Sequence, residues 1–132
     1  MRLSQASDFA LRILMRLAKQ DQPETVDSIS AELGLVKSHV MKIVAKLAKA
    51  GLIETTRGRT GGISLGRPAR EISVGAVVRL IEPDFAIVEC MRDGADKCTF
   101  LPDCRLRGTM ARAKLSFLKT LDDEFLDALV IA

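Results

Sequence analysis

A chain of 132 residues, 48% of them apolar, can bury a core of its own and is excluded from the disordered class. Its formal charge is only +3, and the lack of any Trp or Tyr argues against stacking on single-stranded nucleic acid. No apolar run approaches bilayer-spanning length, and Arg12 and Arg16 interrupt the first apolar segment, which excludes a signal-peptide core; a cytoplasmic protein without a membrane partner is expected.

In chain order, Ser4 is placed to cap a first helix running to about Lys19, with Phe9, Ile13, Leu14 and Leu17 recurring at helical spacing. Pro23 opens a gap. Thr25 then caps a short helix, Val26 to Leu33, which Gly34 stops. A third helix spans about Lys37 to Ala50, with Val40, Ile43, Val44 and Leu47 on one face, and Gly51 ends it. Leu52 to Arg57 reads as a strand, Gly58 to Gly62 as a glycine-rich turn, and Ile63 to Leu65 as a second strand. A hairpin directly after helix, turn and helix is a winged helix-turn-helix. The expected fold is therefore mainly α with a small β-hairpin wing, and residues 1–82 are expected to form the DNA-binding domain.

Ser73 can cap a helix to about Glu82 that turns Val74, Val77, Val78 and Ile81 inward, and Pro83 ends it. Residues 83–104 form a loop carrying every cysteine, and 105–132 a dimerisation helix and C-terminal tail. The long helix should begin near Asp103 as N-cap and reach Lys119, about 24 Å at 1.5 Å per residue. A short last helix capped by Thr120 follows. Leu106, Met110, Ala113, Phe117 and Leu118, with Leu115 and Leu121, are more apolar surface than one narrow stripe needs. Either part of it meets another subunit or the helix packs wholly on its own domain.

Charge is unevenly placed. Residues 36 to 70 carry Lys37, Lys42, Lys46, Lys49, Arg57, Arg59, Arg67 and Arg70 against Glu54 alone, a net +7 that leaves −4 for the remainder. A basic block in an acidic chain points to a polyanion at that block. Ser38, His39, Lys42 and Lys46 are the candidates for the major groove of duplex DNA, and Arg57, Arg59 and Thr60 for the wing, where a narrow minor groove attracts arginine.

Cys90, Cys98 and Cys104 lie in one polar segment interrupted by Gly94 and Pro102. Three thiols leave one over from any disulfide, and in a reducing compartment they read more naturally as metal ligands. Iron–sulfur clusters and zinc both draw on such donors. Zinc lacks its usual short knuckle here, a redox dithiol lacks its C-x-x-C motif, and inert buried cysteines normally sit in apolar runs. An iron–sulfur cluster is the leading reading. Catalysis has no support: the single histidine, His39, is remote from every cysteine, and no phosphate loop, Ser/His/Asp order or paired-carboxylate motif occurs.

Asp8 to Arg12 with Leu14 and Leu17, the Gly51-Leu52-Ile53 step into Arg57-Gly58-Arg59-Thr60-Gly61-Gly62, and the three cysteines together resemble the winged-helix iron–sulfur regulators. The likeness covers nearly the whole chain. Ser38 to Val44 is similar to the recognition helix of the NsrR-type, nitric-oxide-sensing branch. IscR-like members carry a histidine shortly after the last cysteine, where this chain has Arg105 and Arg107.

The resemblance implies a homodimeric repressor of a palindromic double-stranded DNA operator, a cluster on the three cysteines with 4Fe-4S favoured over 2Fe-2S, and DNA release when nitric oxide modifies it. A related signal such as iron–sulfur status or oxygen, or a zinc- or thiol-based regulator, is the alternative. By the same resemblance Asp8 of the partner protomer supplies a fourth ligand. Its ordinary role would be an i,i+4 pair with Arg12 or a favourable charge near a helix start. Two departures from the family pattern, Val36 at the cap of the recognition helix and Arg59-Thr60 in the wing, leave the preferred DNA sequence open.

Overall fold

The structure, a computed structural model, describes residues 1–59, 61–95 and 98–130. Its elements are helices α1 (Gln5–Ala18), α2 (Val26–Leu33), α3 (Lys37–Lys49), α4 (Val74–Ile81), α5 (Arg105–Asp122) and α6 (Leu126–Leu129), with strands β1 (Ile53–Thr56) and β2 (Gly62–Leu65). The mainly α fold with a two-stranded wing is as expected from the sequence.

Local chemistry sets most of the boundaries. Ser4, Thr25 and Ser73 each hold an extended backbone, and their hydroxyls accept from Ser7 N, Ser28 N and Ala76 N, satisfying N–H groups that the first helical turn leaves unpaired. Gly34 ends α2 at φ 65°, a left-handed conformation that a Cβ would penalise. Val36 stands at the N-cap of α3 with no side-chain bond, as its hydrocarbon side chain requires.

α1 is the centre of the core. Its Ala10, Ile13, Leu14 and Leu17 meet Ile29 of α2, Val40, Ile43, Val44 and Leu47 of α3, Ile53 and Ile63 of the wing, and Val77 and Ile81 of α4. β1 and β2 pair antiparallel from Ile53 opposite Leu65 to Thr56 opposite Gly62, so that Ile53 and Ile63 face inward. The wing also has an anchor that no local pattern announces. Glu24 N donates to Ile63 O at 2.9 Å and Ile63 N to Glu24 O at 2.7 Å, adding one residue of the α1–α2 link to the sheet edge. The Glu24 side chain is held in turn by Arg16, whose Nη2 donates to Oε1 at 2.9 Å.

The C-terminal segment departs from expectation at both ends. The cap of α5 is Cys104 instead of Asp103: Cys104 has the extended backbone, and its Sγ accepts from Arg107 N at 3.4 Å. Thr120 caps nothing; it lies inside α5, donating from Oγ1 to Ser116 O at 3.0 Å, and the helix continues to Asp122. The chain then turns back. Val74 N donates to Glu124 O and Leu126 N to Ile72 O, both at 2.9 Å, and Leu126 is buried with the α1 core. Phe125, without a side-chain bond, stands at the N-cap of α6.

Candidate functional site

Two groups of residues are the candidates to carry the chemistry. The first lies on α3 and the wing. Val40, Ile43, Val44 and Leu47 point into the core, so the opposite face of α3, with Ser38, His39, Lys42 and Lys46, is exposed. Arg57 and Arg59 are exposed beside the hairpin turn, while Thr60 lies outside the described residues. The tight return of this turn depends on glycine: a Cβ at Gly61 would collide with the carbonyl oxygens of Thr56 and Gly58. Among the described residues Lys42, Lys46, Arg57 and Arg59 make no ion pair, whereas Lys37 is held by Asp27 at 2.7 Å. A groove of about 210 Å³ between α1 and α3 places Gln5 and Phe9 beside His39 and Lys42. Gln5 thus joins this face, which the chain pattern alone did not indicate.

The second group is the cysteine loop. All three thiols are free; Cys90 and Cys104 are half-buried and Cys98 is exposed. Cys90 sits in a 3-10 turn, Glu89–Met91. Asp96 and Lys97 lie outside the described residues. Among the described residues no three His, Cys, Asp or Glu side chains converge as a metal-binding group. Asp8 is engaged elsewhere: its carboxylate pairs with Arg12 Nη2 at 2.8 Å, and that guanidinium lies 5.8 Å from the Phe9 ring centre. The carboxylate also borders an open cavity of about 950 Å³ with Arg2, Ser4 and Glu82.

Glu82 ties the start of α1 to the end of α4. Its carboxylate accepts from Ser4 N at 3.1 Å, from Ser4 Oγ at 3.0 Å and from Ser7 Oγ, the last a fully buried hydroxyl. The cysteine loop begins one residue later. A lone Glu before Pro83 carries no sequence signal for this, because its partners are 75 and 78 residues away.

Comparison with known proteins gives a single answer. The sequence profile of Rrf2, described as an iron-dependent transcriptional regulator, matches residues 3–131. The chain belongs to the Rrf2 family. The HTH-type transcriptional regulator NsrR of Geobacillus kaustophilus is 40% identical over 124 residues, covering 92% of this chain and 84% of that protein. The protein of the same name from Bacillus subtilis strain 168 is 38% identical over 132 residues, covering 98% and 90%. Among solved structures, T. potens IscR superposes with a TM-score of 0.80 at 25% identity, covering 98% of this chain and 85% of that one. This Rrf2 regulator is thus a DNA-binding winged-helix protein of NsrR type and not an enzyme. None of its described helices is long and apolar enough to cross a membrane.

Set against an iron–sulfur cluster, the donor chemistry of the Rrf2 chain fits. Its thiols share one short loop, none is consumed by a disulfide, and Cys104 stands at a helix start, where its Sγ accepts from Arg107 N. Among the described residues neither the three thiols nor a fourth donor is gathered into a metal-binding group.

Proposed function

We propose that this regulator is a homodimeric repressor that holds an iron–sulfur cluster, 4Fe-4S in preference to 2Fe-2S, on Cys90, Cys98 and Cys104. It releases a palindromic double-stranded DNA operator when nitric oxide, or a related redox or iron stress, alters that cluster. The observation that carries this reading is the position of the loop. All three thiols lie between α4, whose last carboxylate Glu82 grips the start of α1, and α5, whose first turn Cys104 caps. When bound, the cluster would supply iron centres open to a small diatomic ligand.

The chain's own residues do the rest. Ser38, His39, Lys42 and Lys46 meet the major groove, and Arg57, Arg59 and Thr60 the adjoining backbone and minor groove. In this reading 1–82 is the DNA-binding domain, 83–104 the sensing loop and 105–132 the dimerisation helix and tail, in a cytoplasmic protein. Supporting the dimer, α5 buries only Leu118 within the chain, while Leu106, Leu115 and Phe117 remain 59%, 64% and 38% exposed. Asp8 of the partner subunit is the proposed fourth ligand, a role that requires it to leave Arg12.

The test is an anaerobic visible spectrum with iron and acid-labile sulfide analysis of the parent and of the Cys90→Ala, Cys98→Ala and Cys104→Ala variants. The parent should be brown and lose operator affinity on nitric oxide addition. Each variant should be pale and iron-poor yet folded. A colourless parent with one zinc per chain would establish the zinc-based alternative, and a variant that keeps full iron content would remove that cysteine from the ligand set.

A further inference from the structure

We infer that Met41 is a base-reading residue, which recognises the C5-methyl group of a thymine in each operator half-site. The inference rests on the reading of α3 as the helix that enters the major groove. Met41 is 54% exposed, a large apolar side chain on a face shared with Lys37, Ser38, Lys42, Ala45 and Lys49. It takes no part in the hydrophobic core. At 100° per residue it lies beside Ser38, three residues earlier, and Ala45, four later, and its side chain leans toward the helix N-terminus over Ser38.

The surroundings decide what covers it. Lysines line this face, so the occupant is a polyanion. Of everything duplex DNA presents in its major groove, only the thymine methyl is apolar. Ala45 adds almost no bulk on the same strip, so the helix can approach the base edges closely enough for a flexible thioether to reach one. Lys42 and Lys46 supply affinity without regard to sequence, whereas a methionine against a methyl group distinguishes T from the bases that lack it.

The experiment uses the full chain, purified anaerobically, and duplexes that it selects from a randomised pool. Each thymine of a selected duplex is replaced in turn by deoxyuridine, which removes the methyl and nothing else. The parent should show one position per half-site at which each replacement weakens binding by about three- to five-fold, the worth of one buried methyl group. Met41→Ala and Met41→Gln, both good helix formers on an exposed face, should bind the T and U duplexes equally at that position, with an unchanged salt slope. If the selected half-sites contain no uridine-sensitive thymine, or if the T/U ratio survives in Met41→Ala, the inference is overturned. Failure of the underlying reading looks different: Lys42→Ala would then leave both affinity and salt slope unaltered, whatever the response to uridine.

Discussion

Arg79 of α4 holds Asp122, the last residue of α5, by two bonds, Nε to Oδ1 at 3.1 Å and Nη2 to Oδ2 at 2.7 Å. The pair fixes the point where α5 ends and the chain turns back to the core. The hydrogen bonds from Arg79 hold the Asp122 carboxyl below its ordinary range. A carboxylate depressed in the folded state contributes stability that is present above the unfolded value, about 3.9, and lost as pH falls through the lower folded value. The melting-temperature gap between the parent and Arg79→Ala should therefore be flat above about pH 5 and close below about pH 4. A gap that instead persisted unchanged in acid would show that Arg79 acts through packing alone.

Gly75→Ala should destabilise the protein although it replaces glycine within a helix. Helix propensity alone favours Ala by about 1 kcal/mol. A Cβ at this position, however, would stand 2.7 Å from both Cα and N of Asp122, backbone atoms that cannot step aside without moving the end of α5. Overpacking of this kind costs about 1–3 kcal/mol, so the urea midpoint should fall.

Glu82→Ala removes the acceptor shared by Ser4 and Ser7. Ser7 is fully buried, and losing the carboxylate so that its hydroxyl keeps only the 3.3 Å contact with Ser4 Oγ should cost about 1–3 kcal/mol. Ser7→Ala in the same background should recover part of that loss. Additive effects of the two substitutions in chemical denaturation would mean that the buried contact is not what stabilises the start of α1.

Lys42→Ala and Arg59→Ala should each flatten the dependence of log affinity on log salt by about one unit per lost phosphate contact, hence about two for the proposed dimer. Titrations of an operator duplex at several salt concentrations measure this. Unchanged slopes in both variants would place the DNA-binding face elsewhere.

The two roles of Asp8 can be separated by treating its partner as well. If Asp8 only neutralises Arg12, Asp8→Ala and Arg12→Ala should behave alike and leave the spectrum of the anaerobic protein unaltered. If it is the fourth ligand, Asp8→Ala should change that spectrum and weaken the coupling between cluster loss and DNA release. Asp8→Cys, a softer donor, should then slow the reaction with nitric oxide. Arg12→Ala would do neither.

The sequence by itself determined what is local. A hydroxyl at Ser4, Thr25 or Ser73 reaches an N–H three residues on in the same chain, so three helix starts were readable from a few residues each. The apolar spacing of α3 fixed which side is buried, and with it that Ser38, His39, Lys42 and Lys46 are exposed. Order alone, helix, turn, helix and hairpin, was enough for the winged fold.

Only tertiary structure decided the rest, because the partners are distant in the chain and carry no spacing rule. Glu24 pairs with Ile63 to seat the wing, Ile72 with Leu126 to return the C-terminal segment to the core, and Glu82 with Ser4 and Ser7 to join α4 to α1. The cap of α5 also fell to the fold: Asp103 is the better acceptor by type, but Cys104 has the extended backbone and the reach to Arg107 N. For the cysteines the sequence supplied the donor set. Their assembly into the proposed site is a matter of loop closure and, in the proposed dimer, of a second subunit, neither of which spacing can encode.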